Sequence, residues 1–225
     1  AARWMAAGLV DAVVVGGVDS LCGTTLHGFA ALQLVSSQRC RPFDLHREGI
    51  SLGEGSAFAL LERDAIENPH RLALLGYGES SDAHHMSAPH PEGLGAERAM
   101  RDALAMAQLD PARIDYVNAH GTATRNNDSV EAAAIARVLG AAKPITSVKG
   151  FVGHTLGAAG AISAVVSLLS IECGFIPGTV NTALIDPECG EAVCGATLAR
   201  EVRFVLTNAF GFGGSNASLA FGAAH

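Results

Sequence analysis

Two histidines and a lysine, each set beside glycine, are the residues of this chain best placed to do chemistry. Lys149 and His154 stand in Ser147-Val148-Lys149-Gly150-Phe151-Val152-Gly153-His154. Residues 145–148 read as the end of a short strand, and Gly150 and Gly153 permit a sharp turn before a helix that the pattern starts near His154. A histidine in the first turn of a helix faces unpaired amide donors and the positive end of the macrodipole, which disfavour a second proton. Such an imidazole stays neutral and donates one hydrogen bond; capping alone would also account for a lone histidine there. His120, in Val117-Asn118-Ala119-His120-Gly121-Thr122-Ala123-Thr124, leaves the carboxyl end of a strand, where open α/β sheets place their ligands. Two neutral imidazoles converging from separate strand ends can hold one developing oxyanion, the arrangement that stabilises an enolate. Thr122 and Thr124 alternate along an extended segment and offer hydroxyls and amides to an elongated ligand.

A third motif is Asn208-Ala209-Phe210-Gly211-Phe212-Gly213-Gly214-Ser215-Asn216. No Walker lysine is present and no helix follows, which argues against a nucleotide loop. A tight hairpin accounts for it, as does a loop that offers backbone N–H groups to an oxyanion and uses Phe212 as a movable wall. Asp128-Ser129-Val130-Glu131 fits a helix N-cap with glutamate at the third position, so capping alone would explain both carboxylates. Asp82, His84, His85 and His90 crowd one loop, but prolines interrupt it and the spacing fits no standard zinc site, so no metal is expected. The five cysteines are an odd number without CxxC spacing. They point to a reducing, cytoplasmic compartment and to inert buried thiols rather than to a disulfide framework.

The elements that must carry these residues follow a strand–helix rhythm. Strands are expected at 12–15, 56–61, 72–78, 116–119, 202–208 and 217–221, and helices at 1–8, 25–34, 95–107, 128–139 and onward from 154. This alternation implies an α/β protein with a largely parallel or mixed sheet. The continuous apolar run at 12–15 suggests a strand covered on both faces. Residues 154–171 contain no charged side chain, but the span is crowded with Gly, Ala, Ser and Thr, so it reads as a core helix packed on all sides and not as a membrane span. An Asn-Pro pair closes the stretch 64–70, the expected boundary between units 1–69 and 70–225. With 49% hydrophobic and 16% charged residues the chain is globular, and a net charge of −7 without a basic run argues against nucleic-acid binding. Ala1 opens directly into a helical pattern, as if the sequence starts within an element.

Together, the motifs NAHGTAT, KGFVGHTLGAAGA and NAFGFGGSNASLAF, with AARWMAAGLVDAVVVGG at the start, resemble the elongating β-ketoacyl-acyl-carrier-protein synthases of the thiolase-fold superfamily. The likeness runs over essentially the whole chain. It implies a layered α-β-α-β-α fold, of which residues 1–69 would be the tail of the N-terminal half and 70–225 the C-terminal half. It implies an acyltransferase of fatty-acid or polyketide biosynthesis that performs decarboxylative Claisen condensation. His120 and His154 would bind the malonyl thioester carbonyl and stabilise the enolate, and Lys149 would be the active-site lysine, paired with Glu131. Phe212 would be the gating phenylalanine, its amide donating to the condensation oxyanion. Thr122 and Thr124 would hold the pantetheine arm, and Asp82 and His85 would lie near the entrance or an ordered water. No cofactor is implied beyond the phosphopantetheine of an acyl carrier protein, a partner that Arg39 and Arg41 could meet. The family forms homodimers, or heterodimers with a similar subunit. Its nucleophilic cysteine would fall shortly before Ala1, so these residues alone would not condense. A non-condensing subunit similar to chain-length factors and a thiolase-like enzyme using coenzyme A esters are the alternatives. Arg125-Asn126-Asn127, Phe151-Val152 and Gln33 depart from common family patterns and bear on carrier and chain-length preference.

Overall fold

The computed structural model describes residues 1–63 and 72–223. The expected boundary at 64–70 lies outside the described residues. In chain order the elements are α1 (Ala2–Ala6), β1 (Ala12–Asp19), α2 (Gly23–Ala31), β2 (Gly55–Glu62), β3 (Leu72–Ser81), α3 (Leu94–Ala107), β4 (Tyr116–Asn118) and α4 (Arg125–Leu139). They continue with β5 (Ile145–Thr146), α5 (Lys149–Val152), α6 (Ala159–Cys173), β6 (Phe175–Ile176), β7 (Leu198–Ala199), β8 (Phe204–Gly211) and β9 (Ser215–Ala223). A mixed sheet runs β3-β9-β8-β4-β5, antiparallel across β3, β9 and β8 and parallel across β8, β4 and β5.

One face of this sheet is covered by α3 and α4. Ala96, Ala99, Met100, Ala103 and Leu104 recur at three- and four-residue spacing, and all are buried. Burying a side chain such as Met100 or Leu104 contributes about 1.5–3 kcal/mol each. The helix can lie this close because Gly78 of β3 has no side chain: a Cβ there would sit 2.0 Å from the carbonyl oxygen of Ala99. The other face carries α6, whose serines are explained by β4. Tyr116 Oη bonds Ser170 Oγ at 2.8 Å, and Asn118 Nδ2 donates to Ser163 O at 3.1 Å and Ser167 Oγ at 3.2 Å. Beyond α6 lies the antiparallel ribbon of β1 and β2, giving successive helix, sheet, helix and sheet layers.

Several expectations are corrected. The long helix starts at Ala159, after a 3-10 turn at Leu156–Ala158, and His154 precedes both. His154 N donates to Ser51 O and His154 O accepts from Gly53 N, an extended bridge to Leu52, and Leu156 at φ +45° cannot continue a helix backwards. Among the described residues helix α6 is not packed all round: its buried residues are Ala159, Ser163, Ser167 and Ser170, and Leu169 is exposed. Strand β1 is likewise not covered on both faces, with Val14 69% and, on β2, Phe58 60% exposed. Helix α4 begins at Arg125 with Thr124 at its N-cap, which places Asp128 and Glu131 inside the helix and removes the capping-box reading.

Candidate active site

The carboxyl end of β4, the turns before α6 and the β8–β9 hairpin enclose a cavity of about 730 Å³. His120, His154, Lys149, Thr122, Thr124 and Phe212, six of the residues singled out in the sequence, all reach its wall. The rings of His120 and His154 meet edge to face, 5.3 Å between centroids and 82° apart. Each imidazole has its Nδ1 occupied. Leu156 N donates to Nδ1 of His154 at 3.2 Å, and Nζ of Lys149 stands 3.3 Å from Nδ1 of His120. Both contacts put the ring proton on Nε2, so each histidine offers an Nε2–H donor.

Both imidazoles are held neutral, but the macrodipole is not the cause. Burial pushes the His154 pKa down to about 3, helped by the nearby Lys149 charge, and burial with the Lys149 charge holds His120 well below the ordinary histidine range. Burial also lowers Lys149 to about 8, with Glu131 pulling the other way, so at neutral pH it remains mainly an ammonium. Its Nζ donates to the carbonyl oxygen of His120 as well.

Glu131 is fully buried behind this group and is not in a direct ion pair with Lys149. One carboxylate oxygen accepts from His120 N at 2.8 Å and from Asn208 Nδ2 at 3.0 Å, and the other accepts from Gly121 N at 2.8 Å. Glu131 thus pins the backbone that carries His120 and acts on Lys149 only through space. The hydroxyls of Thr122 and Thr124 lie 2.9 Å apart along the wall. Phe212 tips a three-residue hairpin loop with Gly213 and Gly214 at positive φ, is half exposed, and faces the Phe29 ring at 5.8 Å. The hairpin reading holds, and Phe212 lies on the cavity wall. Asp82 reaches the cavity and accepts from His90 N at 2.9 Å and Asn216 Nδ2 at 2.8 Å. His85 does not: it is exposed, and its Nδ1 accepts from Ser87 N at 3.1 Å. Among the described residues no cysteine lines the cavity, and burial pushes the Cys40 thiol up to about 11.

Residues 1–66 match the family model described as "Beta-ketoacyl synthase, N-terminal domain", and residues 72–183 match the one described as "Beta-ketoacyl synthase, C-terminal domain". The chain belongs to the β-ketoacyl synthase family. It is 39% identical to 3-oxoacyl-[acyl-carrier-protein] synthase 2 of Rhizobium meliloti, covering 97% of this chain and 56% of that one. It is also 39% identical to the mitochondrial 3-oxoacyl-[acyl-carrier-protein] synthase of Arabidopsis thaliana, with coverage of 98% and 52%. The solved structure of a ketosynthase in complex with its chain length factor, from Xenorhabdus doucetiae, superposes with a TM-score of 0.92 at 42% identity, covering 99% of this chain and 55% of that one. The fold is thus thiolase-like, and this synthase chain spans about half the length of the relatives it matches.

Two parts of the site escape the sequence reading. Asn208 joins Glu131 to Ser218, whose hydroxyl donates to Asn208 Oδ1 at 2.7 Å; a polar residue closing the apolar strand 202–208 was the available signal. Arg47, only 1% exposed, donates to the carbonyls of Asp44 at 3.0 Å, Thr124 at 3.3 Å and Arg125 at 2.9 Å, and pairs with Asp186 at 2.5 Å and Asp128 at 3.8 Å. Asp128 in turn accepts from Phe43 N at 2.8 Å and Ala123 N at 3.1 Å, which fixes Ala123 at φ +65° between the two threonines.

Proposed function

We propose that the protein carrying this chain is a 3-oxoacyl-[acyl-carrier-protein] synthase that lengthens an acyl thioester by decarboxylative Claisen condensation. The single observation that carries this reading is the pair of neutral Nε2–H imidazoles on one cavity wall, with a lysine ammonium beneath them. In this mechanism the malonyl thioester oxygen sits against Nε2 of His120 and His154. The carbon–carbon bond to the carboxylate breaks, carbon dioxide leaves, and the electron pair becomes an enolate whose oxygen the two donors hold. The enolate carbon attacks the acyl thioester carbonyl. The tetrahedral oxyanion is held by the Phe212 amide, and collapses with loss of the thiolate.

Lys149 keeps Nδ1 of His120 unprotonated and so keeps its Nε2–H pointed at the substrate. Thr122 and Thr124 bind the pantetheine arm, and the Phe212 loop moves as the acyl chain enters. Asp82 supports the wall from the entrance side. The thiol that holds the acyl group is the nucleophilic cysteine that the family likeness sets ahead of Ala1. The proposal includes an acyl carrier protein as substrate donor, a dimer with a like or similar subunit, a cytoplasmic setting, and no cofactor other than the carrier's phosphopantetheine. The complex that the Xenorhabdus ketosynthase forms with its chain length factor supports pairing with a similar subunit.

The test is to supply the complete protein with acyl- and malonyl-carrier and weigh the products. Appearance of the 3-oxoacyl-carrier, competed poorly by malonyl-coenzyme A, is expected. Decarboxylation without a condensed product would overturn the assignment in favour of a non-condensing partner subunit, and preference for the coenzyme A ester would overturn it in favour of a thiolase-like enzyme.

A further inference from the structure

We infer that Asp19, at the end of β1, is a positioning residue that holds the His154 ring in its Nε2–H form. The turn after His154 links the two. Leu156 sits at φ +45°, a left-handed conformation that a leucine adopts only when its surroundings hold it there. In that conformation its N–H reaches Nδ1 of His154 at 3.2 Å. The next residue, Gly157, donates its N–H to Oδ2 of Asp19 at 3.0 Å across 138 positions of sequence.

The end of β1 is shaped for this contact. Gly17 lies flush on the turn, since a Cβ there would be 2.2 Å from Gly157 O. Gly157 itself faces Asp19, since its own Cβ would be 3.1 Å from Oδ2. The carboxylate thus closes one side of the turn, while the bridge between His154 and Leu52 closes the other. Remove the Asp19 acceptor and the Gly157 amide loses its partner. Leu156 can then relax out of the left-handed region and take its N–H away from Nδ1. With Nδ1 free, the imidazole proton can sit on either nitrogen, and the donor facing the cavity is no longer fixed. Asp19 touches neither ring nor cavity, so its action on the chemistry is wholly through this turn.

The consequence for turnover rests on the proposed function, whereas the consequence for the tautomer does not. The experiment uses the complete protein with ¹⁵N-labelled histidine, the His154 signals being identified by their loss in H154Q. The wild type should show a protonated Nε2 and an unprotonated Nδ1. Asp19→Ala should shift both signals towards a mixture of tautomers and lower kcat for malonyl-carrier decarboxylation roughly ten- to a hundredfold, with KM little changed. Asp19→Asn keeps an oxygen acceptor for Gly157 and should restore most of both. If Asp19→Ala does not fold, Asp19→Val, which likewise offers no acceptor, is read in the same way.

A folded variant with no acceptor oxygen at position 19 that keeps wild-type His154 signals overturns the inference, whether or not kcat falls. Should the wild type prove unable to decarboxylate, the functional reading fails while the nitrogen signals still decide the role of Asp19.

Discussion

Nζ of Lys149 stands 3.3 Å from Nδ1 of His120 and donates to the carbonyl oxygen of that same residue. A single ammonium therefore fixes both the tautomer of the imidazole and the backbone that presents it. Lys149→Met removes the charge and leaves a stem of similar length. The His120 pKa should rise, because the positive neighbour that disfavours its second proton is gone. Decarboxylation should fall by about 10²-fold or more. Proton NMR titration of His120 in wild type and variant, alongside the rate, checks both effects.

Acid should weaken the fold in a defined window. His154 binds its proton near pH 6.5 in the unfolded chain but only near 3 when folded. The unfolded state holds more protons between those values, so this contribution is complete above about pH 6.5 and is lost as pH falls towards 3, at up to about 1.4 kcal/mol per pH unit. Lys149, lowered from 10.5 to about 8, acts in the same sense at the alkaline end, where stability rises between those values. Thermal melts from pH 7 to 5 should show a falling midpoint, and His154→Gln should flatten the slope.

Glu131→Gln replaces one acceptor oxygen with an NH₂ group. Either the His120 and Asn208 donors or the Gly121 amide must then face another donor, which costs about 1–3 kcal/mol and displaces the loop that carries His120. The expected result is a lower denaturant midpoint together with reduced decarboxylation, both read on the same preparation.

Arg47→Met leaves Asp128 and Asp186 without their cation and should destabilise the protein by about 3–5 kcal/mol. Adding Asp128→Asn should recover part of that loss, because the uncompensated charge is then removed. A double-mutant cycle in denaturant measures the coupling, and strict additivity would show that the pair does not interact.

The sequence is most informative where a residue's own chemistry restricts its use. The histidine and lysine motifs, the strand ends that bear them and the glycine hairpin all lie at the cavity as expected. The start of α6 is misread because Gly-Ala sequences carry no local mark that separates a 3-10 turn from an α-helix; the left-handed Leu156 that settles it is imposed by contacts from β1. The neutral state of His154 is foreseen for the wrong reason, since burial, which sequence does not display, does the work assigned to the helix dipole. His85 is exposed and does not itself line the cavity, though its partner Ser87 does. Arg47 and Asp19 go unread because a buried arginine and a carboxylate clamp bridge distant segments and leave no periodic trace.

The central claim is that His120 and His154 together stabilise an enolate. Its most direct test is carbon dioxide release from malonyl-carrier by the complete protein in wild type, His120→Ala and His154→Ala. Either substitution should reduce release by about 10²-fold or more while the far-UV spectrum and melting behaviour stay close to wild type. Retained decarboxylation in both variants would contradict it.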